Sequence, residues 1–194
     1  AEILYLEHEK HPQTHSLDLS IIGIVTKSRG SLVNNNGIDV AKALHEIRDL
    51  GRFSWTNFEL TSIKSLEAVQ QLDYDVLVEL STLSIVGRGE PALSHVREAL
   101  RRGKHVVTAN KGPAAFAYNE LRSLAEKNGV SFLHESTVMD GTPVFNLARN
   151  GLKGCTITGV SGVLNSTTNF VLSRMEKGES IEEAVKVAQK EGFA

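Results

Sequence analysis

Cysteine is almost missing from this chain. Cys155 stands alone among 194 residues, so no disulfide can close within it. Its apolar, strand-like surroundings lead us to expect a buried core thiol. Long apolar runs are missing too. No stretch approaches the roughly 18 consecutive apolar residues of a membrane-spanning helix, so no membrane partner is expected. Neither charge dominates: 21 Lys and Arg face 23 Asp and Glu, a net of −2, which gives no bulk attraction for nucleic acid or an anionic bilayer. No basic, apolar leader opens the chain. These absences together suit a reducing cytoplasm. No G-x-G-x-x-G turn of the dinucleotide-binding type occurs. The opening Ala1-Glu2-Ile3-Leu4-Tyr5-Leu6 reads as the middle of an amphipathic helix, so the sequence is expected to begin after such a turn. His8, His11 and His15 cluster early, but Pro12 interrupts them and no set of three or four ligands is completed, which makes a surface loop the better reading than a metal site.

What is present is a regular alternation. Leu19 to Thr26 is a short apolar run rich in isoleucine, read as a strand buried on both faces. Asp75 to Leu80, His105 to Thr108 and, more weakly, Val130 to Leu133 read the same way. Helical patterns lie between. Val40, Leu44 and Ile47 repeat at i, i+4, i+7. Leu93, Val96 and Leu100 do likewise behind Pro91, and Ala117, Leu121 and Leu124 follow Pro113, with Gly129 as a left-handed cap. Strands alternating with helices imply an α/β fold, a Rossmann-like parallel sheet with helices on its faces. Ser31 to Gly37 reads as a polar loop. Cys155 to Val163 reads as a strand of a second sheet, and Ser180 with Glu183 forms a capping box for a final helix that ends at Gly192, two residues before Ala194.

Polar residues collect at the carboxyl ends of the four strands, where open α/β sheets bind ligands. Thr26, Lys27 and Arg29 follow the first. An acidic residue there would bond the ribose hydroxyl of NAD, whereas cations suit the 2′-phosphate of NADP, which Arg can grip with two hydrogen bonds. A solvated pair of cations is the plainer alternative. Ser81 and Thr82 follow the second strand, Asn110 and Lys111 the third, and His134 to Thr137 the fourth. An ammonium at Lys111 can orient an anionic substrate or stabilise a developing alkoxide. Taken alone, a lysine in water at a strand end is the better reading, and the T-A-N-K-G-P motif around it reverses that. Glu135 to Pro143 turns sharply into a helix, and successive carbonyls in such a turn can hold a hard cation, although on the residues alone an ordinary linker turn is the better reading. Asn165 to Asn169 opens a helix whose free N–H groups suit a carboxylate, or only a cap.

Three motifs make the reading more specific: V-T-A-N-K-G-P at 107 to 113, E-x-T-V-x-x-G-x-P at 135 to 143, and the run from Gly162 through N-S-T-T-N-F to Met175. With the closing A-Q-K-E-G-F-A, from Ala188 to Ala194, they resemble homoserine dehydrogenase over nearly all of this sequence. The resemblance implies an oxidoreductase that interconverts aspartate β-semialdehyde and homoserine with NADP or NAD, in threonine and methionine biosynthesis. It implies an NAD(P)-binding domain over 1–134, a catalytic and dimerisation domain beginning at 135–194, and a homodimer. By position, it places Ser81 and Thr82 beneath the nicotinamide and Lys111 at the junction of cofactor and substrate. It places Glu135, Val138, Asp140 and Thr142 on a sodium-binding turn of main-chain carbonyls, and Ser166 and Thr167 against the substrate. Ser166 stands where the family carries glycine, and its hydroxymethyl narrows that approach.

Two family elements have no counterpart among these residues. One is the glycine-rich phosphate loop. The other is the acidic segment with the Asp and Lys credited with proton transfer. In the family it follows the G-[YF]-A motif, so the resemblance puts both of these acid-base residues beyond Ala194. Aldehyde reduction needs a proton for the alkoxide as well as a hydride, so the 194 residues alone are expected to be a poor catalyst. The alternatives are a non-catalytic dimerisation or binding module, and another two-domain NAD(P) oxidoreductase of a small carbonyl.

Overall fold

The computed structural model describes residues 19–54 and 61–193. The early histidines and the opening stretch read as a helix from sequence lie outside them. So does Ala194, the last residue of the G-[YF]-A motif and the position after which the family's acid-base segment is expected. Strand β1 (Gly23–Val25) pairs antiparallel with β2 (Ser31–Val33), with Gly23 opposite Val33 and Val25 opposite Ser31. Two expectations are corrected here. The first strand is half-buried and belongs to a hairpin, not to the parallel sheet, and residues 31–33 form its partner rather than a loop. The turn between them explains both outcomes. Gly30 takes a φ of 91°, and the Thr26 hydroxyl donates to the Gly30 carbonyl at 2.6 Å while accepting the Arg29 N–H at 2.9 Å. This folds the chain straight back. Helix α1 (Val40–Leu50) follows, capped by the Asp39 carboxylate on the Lys42 N–H. Leu32, Ile38, Ala43 and Phe53 make a small core beneath it.

The larger body has the expected alternation of parallel strands and helices, but its strands are buried on one face rather than on both, because the described helices pack on one side only. Helix α2 (Ser65–Gln71) leads to β3 (Val76–Glu79), then α3 (Ala92–Arg101), β4 (His105–Thr108), α4 (Lys111–Asn128) and β5 (Phe132–Leu133). The three strands run parallel in the order β3-β4-β5, with Val78 beside Val107 and Val107 beside Leu133. Val96 and Leu100 of α3, Leu121 of α4 and Val106 of β4 have no exposed surface. Burying each of these side chains contributes about 1.5–3 kcal/mol. The core lies between α3, α4 and one face of the sheet, with Val69, Ala99, Ala125 and Phe132 completing it. On the other face Val76, Val78, Val107 and Leu133 are exposed. Gly129 ends α4 in the left-handed region as predicted, and the Arg102 guanidinium donates to the Val69 and Leu72 carbonyls at the end of α2.

Beyond β5 a helical turn at Glu135–Thr137 and a short helix α5 (Val144–Asn146) precede α6 (Ser166–Met175) and α7 (Ile181–Lys190). The capping box is present, with Ser180 Oγ accepting the Glu183 N–H. The stretch from Cys155 to Val163 is not a strand, and Cys155 is exposed rather than buried. A strand needs a neighbour to receive its backbone hydrogen bonds, and among the described residues this stretch has none. No helix of the described residues is long and apolar enough to cross a membrane.

Candidate functional site

An open cleft of roughly 180 Å³ lies at the carboxyl ends of β3 and β4, lined by Leu80, Ser81, Leu83, Ala109, Asn110 and Lys111. Three of its residues, Ser81, Asn110 and Lys111, are sequence-predicted site residues. Thr82 lies next to it and is exposed; Ser166 and Thr167 do not line it. Thr26, Lys27 and Arg29 lie on the turn of the hairpin, where both cations are exposed and the Thr26 hydroxyl is engaged in the turn.

The cleft is built from the main chain outward. Asn110 caps α4, its Oδ1 accepting the Gly112 N–H at 2.9 Å, while its Nδ2 donates to the Ser81 carbonyl at 2.9 Å. One buried amide therefore holds both walls, and it presents Lys111 at the first position of the helix. The helix departs from regular geometry at Ala117, so its opening turns are separable from the part that fills the core. Gly89 and Gly112 bring the loop before α3 into main-chain contact with the first turn of α4. A Cβ on Gly112 would lie 2.7 Å from the Gly89 Cα, closer than packed atoms approach.

Below the cleft lies a carboxylate that sequence reasoning missed. Glu79 ends β3 on the inward face and is only 4% exposed. Its Oε1 accepts the Ser81 N–H at 3.0 Å and its Oε2 accepts the Thr108 hydroxyl at 3.3 Å. His95 of α3, itself buried, stands 3.8 Å away through Nδ1, an ion-pair distance rather than a hydrogen bond, and its Nε2 meets Ser65 Oγ at 2.9 Å. Burial pushes the Glu79 carboxyl up, but His95 and Ser81 together hold it below its ordinary range, so it is ionised at neutral pH.

At the tip of β5, His134 is boxed in by the rings of Tyr118, Phe132 and Phe145, with centroids 5.5, 5.1 and 4.8 Å away. Burial, then the Arg149 charge, lowers its pKa, so the fold holds it neutral. Protons therefore bind the unfolded chain more readily as pH falls below about 6.5. Stability is full above that value and is lost as pH falls through the lowered pKa of the fold. The urea midpoint should drop between pH 7.5 and 5.5, and His134→Gln should flatten that drop. An unchanged slope in the variant would show that His134 is not its source.

Next to it, the Glu135 carboxylate accepts the Phe145 N–H at 2.8 Å and the Asn146 N–H at 3.1 Å, which caps α5. Met139 and Asp140 both take positive φ, 55° and 47°, in the turn that runs on to Thr142. The Glu135 carbonyl accepts the Val138 N–H and the Thr142 carbonyl accepts the Val144 N–H. Each of these two oxygens keeps a second lone pair for a cation. Among the described residues, no three His, Cys, Asp or Glu side chains converge on a metal position. At α6, Asn165 Oδ1 caps the Thr168 N–H at 2.7 Å, and the Thr167 hydroxyl donates to the Phe193 carbonyl.

Comparison with known proteins places this architecture. Residues 13–135 match the family model for the NAD binding domain of homoserine dehydrogenase, and residues 143–194 match the model for homoserine dehydrogenase. A homoserine dehydrogenase of Methanocaldococcus jannaschii is 36% identical over all of this chain and 57% of its own length. An NAD(+)-dependent homoserine dehydrogenase of Pseudomonas canavaninivorans is 41% identical over 91% of this chain and 50% of its own. Among solved structures, a hyperthermophilic archaeal homoserine dehydrogenase in complex with NADPH superposes with a TM-score of 0.79 at 29% identity, over 97% of this chain and 56% of that one. The chain thus spans about half the length of these relatives.

Proposed function

Because the chain belongs to the homoserine dehydrogenase family, we propose that it forms the cofactor-binding side of an enzyme that interconverts aspartate β-semialdehyde and homoserine. The observation that supports this best is the cleft at the ends of β3 and β4, which Ser81 and Lys111 share. A nicotinamide nucleotide, when bound, supplies or accepts the hydride. The lining suits such a group: a concave site beyond parallel strand ends that carries hydroxyl, amide and ammonium groups. Ser81 and Thr82 would border its nicotinamide end, and Asn110 would fix the wall. The Lys111 ammonium would face the aldehyde oxygen and stabilise the charge that develops there. Lys27 and Arg29 would bind a 2′-phosphate, which favours NADP over NAD.

The same reading divides the protein near residue 135, a boundary supported by the two family-model matches on either side of it. It gives the α6 start, Ser166 and Thr167, to the substrate. It also gives the Glu135, Val138, Asp140 and Thr142 carbonyls to a sodium ion. The Asp and Lys that exchange the proton belong, on this reading, to a segment following Ala194. A homodimer in the cytoplasm, serving threonine and methionine synthesis, completes it. The test is a spectrophotometric assay of the encoded protein with aspartate β-semialdehyde. NADPH should be consumed, and NADH more weakly. No oxidation of either nucleotide at any aldehyde concentration would refute the activity.

A further inference from the structure

Glu79 is a charged side chain in a place that otherwise takes valine or leucine. It follows Val76, Leu77 and Val78 on β3, points to the core side of the sheet and is almost fully covered. A buried carboxylate is retained only where it is paired and hydrogen-bonded, so its bonds are informative. They form a closed circuit. Glu79 Oε1 receives the Ser81 N–H, and Glu79 Oε2 receives the Thr108 hydroxyl. Thr108 Oγ1 in turn receives the Asn110 N–H at 3.0 Å, and Asn110 Nδ2 returns to the Ser81 carbonyl. Apart from Leu83, the cleft is lined by residues of this circuit or by their immediate neighbours.

We infer that Glu79 is a positioning residue: its carboxylate clamps the Ser81 and Asn110–Lys111 loops at one separation and so sets the nicotinamide end of the cofactor site. This rests on the cofactor reading above. Both oxygens are needed as acceptors. Glutamine keeps one for Ser81 but turns an N–H toward Thr108, so the Thr108 hydroxyl loses the acceptor that fixes its orientation. On that reading Lys27 and Arg29 hold the adenine end of the nucleotide, and neither takes part in the circuit.

The experiment uses the encoded protein with Glu79→Gln, and Thr108→Val as a second variant should the first fail to fold. Two probes are titrated: NADPH, and adenosine 2′,5′-bisphosphate, which carries the adenine end alone. The Kd for NADPH is expected to rise about ten- to a hundredfold, the scale of a lost bond to a charged group. The kcat should fall with it, while the Kd for the bisphosphate stays within about twofold. Parallel weakening of both probes with a lower Tm would reduce Glu79 to a structural role and overturn the inference. So would native affinity and kcat in the variants. If the unsubstituted protein binds the bisphosphate but gains nothing from the nicotinamide and reduces no aldehyde, the parent reading has failed, and this one with it.

Discussion

Replacing Lys111 with alanine in the encoded protein should lower kcat by about 10²–10³-fold, the effect of removing one group that stabilises developing negative charge. Folding should barely change. Lys111 is exposed at the first position of α4, and the cap on that helix comes from Asn110, which the substitution leaves in place. Surface changes of this kind stay within about 0.5 kcal/mol. Steady-state kinetics beside a thermal melt separates the two outcomes. A lower Tm with kcat intact would make Lys111 part of the scaffold only. A higher KM with kcat unchanged would make it a binding group that does not discriminate between ground and transition states.

Gly112→Ala should destabilise the protein by about 1–3 kcal/mol, the usual cost of overpacking a well-filled site. The sign is what makes the experiment informative. Within a helix, glycine to alanine ordinarily stabilises by about 0.5–1 kcal/mol, and Gly112 is the second residue of α4. The opposite is expected because the new methyl would meet the Gly89 Cα at 2.7 Å and the Asn110 Oδ1 at 3.1 Å. Main chain cannot rotate out of the way as a side chain can, so the loops must part. Affinity for NADPH should fall together with Tm. Denaturant unfolding of the variant decides it: a rise in midpoint would mean that the two glycines do not touch.

The parallel sheet could be read from sequence because its signals are local and agree with one another. His105 to Thr108 is bounded by Gly103 and the Asn110 cap, and α4 carries Pro113 at its start and Gly129 at its end. The hairpin could not be read that way. Ser31 to Val33 is too short and too polar at its flanks to suggest a strand, and its pairing depends on the turn from Thr26 to Gly30. Cys155 to Val163 misled for the opposite reason. Its alternation suits a strand, but that pattern does not supply a neighbour to pair with. Glu79 left a readable signal that went unused: in Asp75-Val76-Leu77-Val78-Glu79, period two puts Glu79 on the same face as Leu77, the face that α3 covers. A charge at an inward position calls for a partner, and His95 is only 16 residues further on.

The meeting of Gly89 with Gly112 also bears on how such a cleft could diversify. Beside its lining, the loop before α3 and the first turn of α4 meet backbone against backbone, so there is no bulky group at that contact to trim. Changes at Leu80, Leu83 or Lys111 can alter the shape and charge of the walls without moving them apart. Selectivity at this mouth should therefore drift through the lining while the opening itself stays constant, until one of the two glycines is replaced.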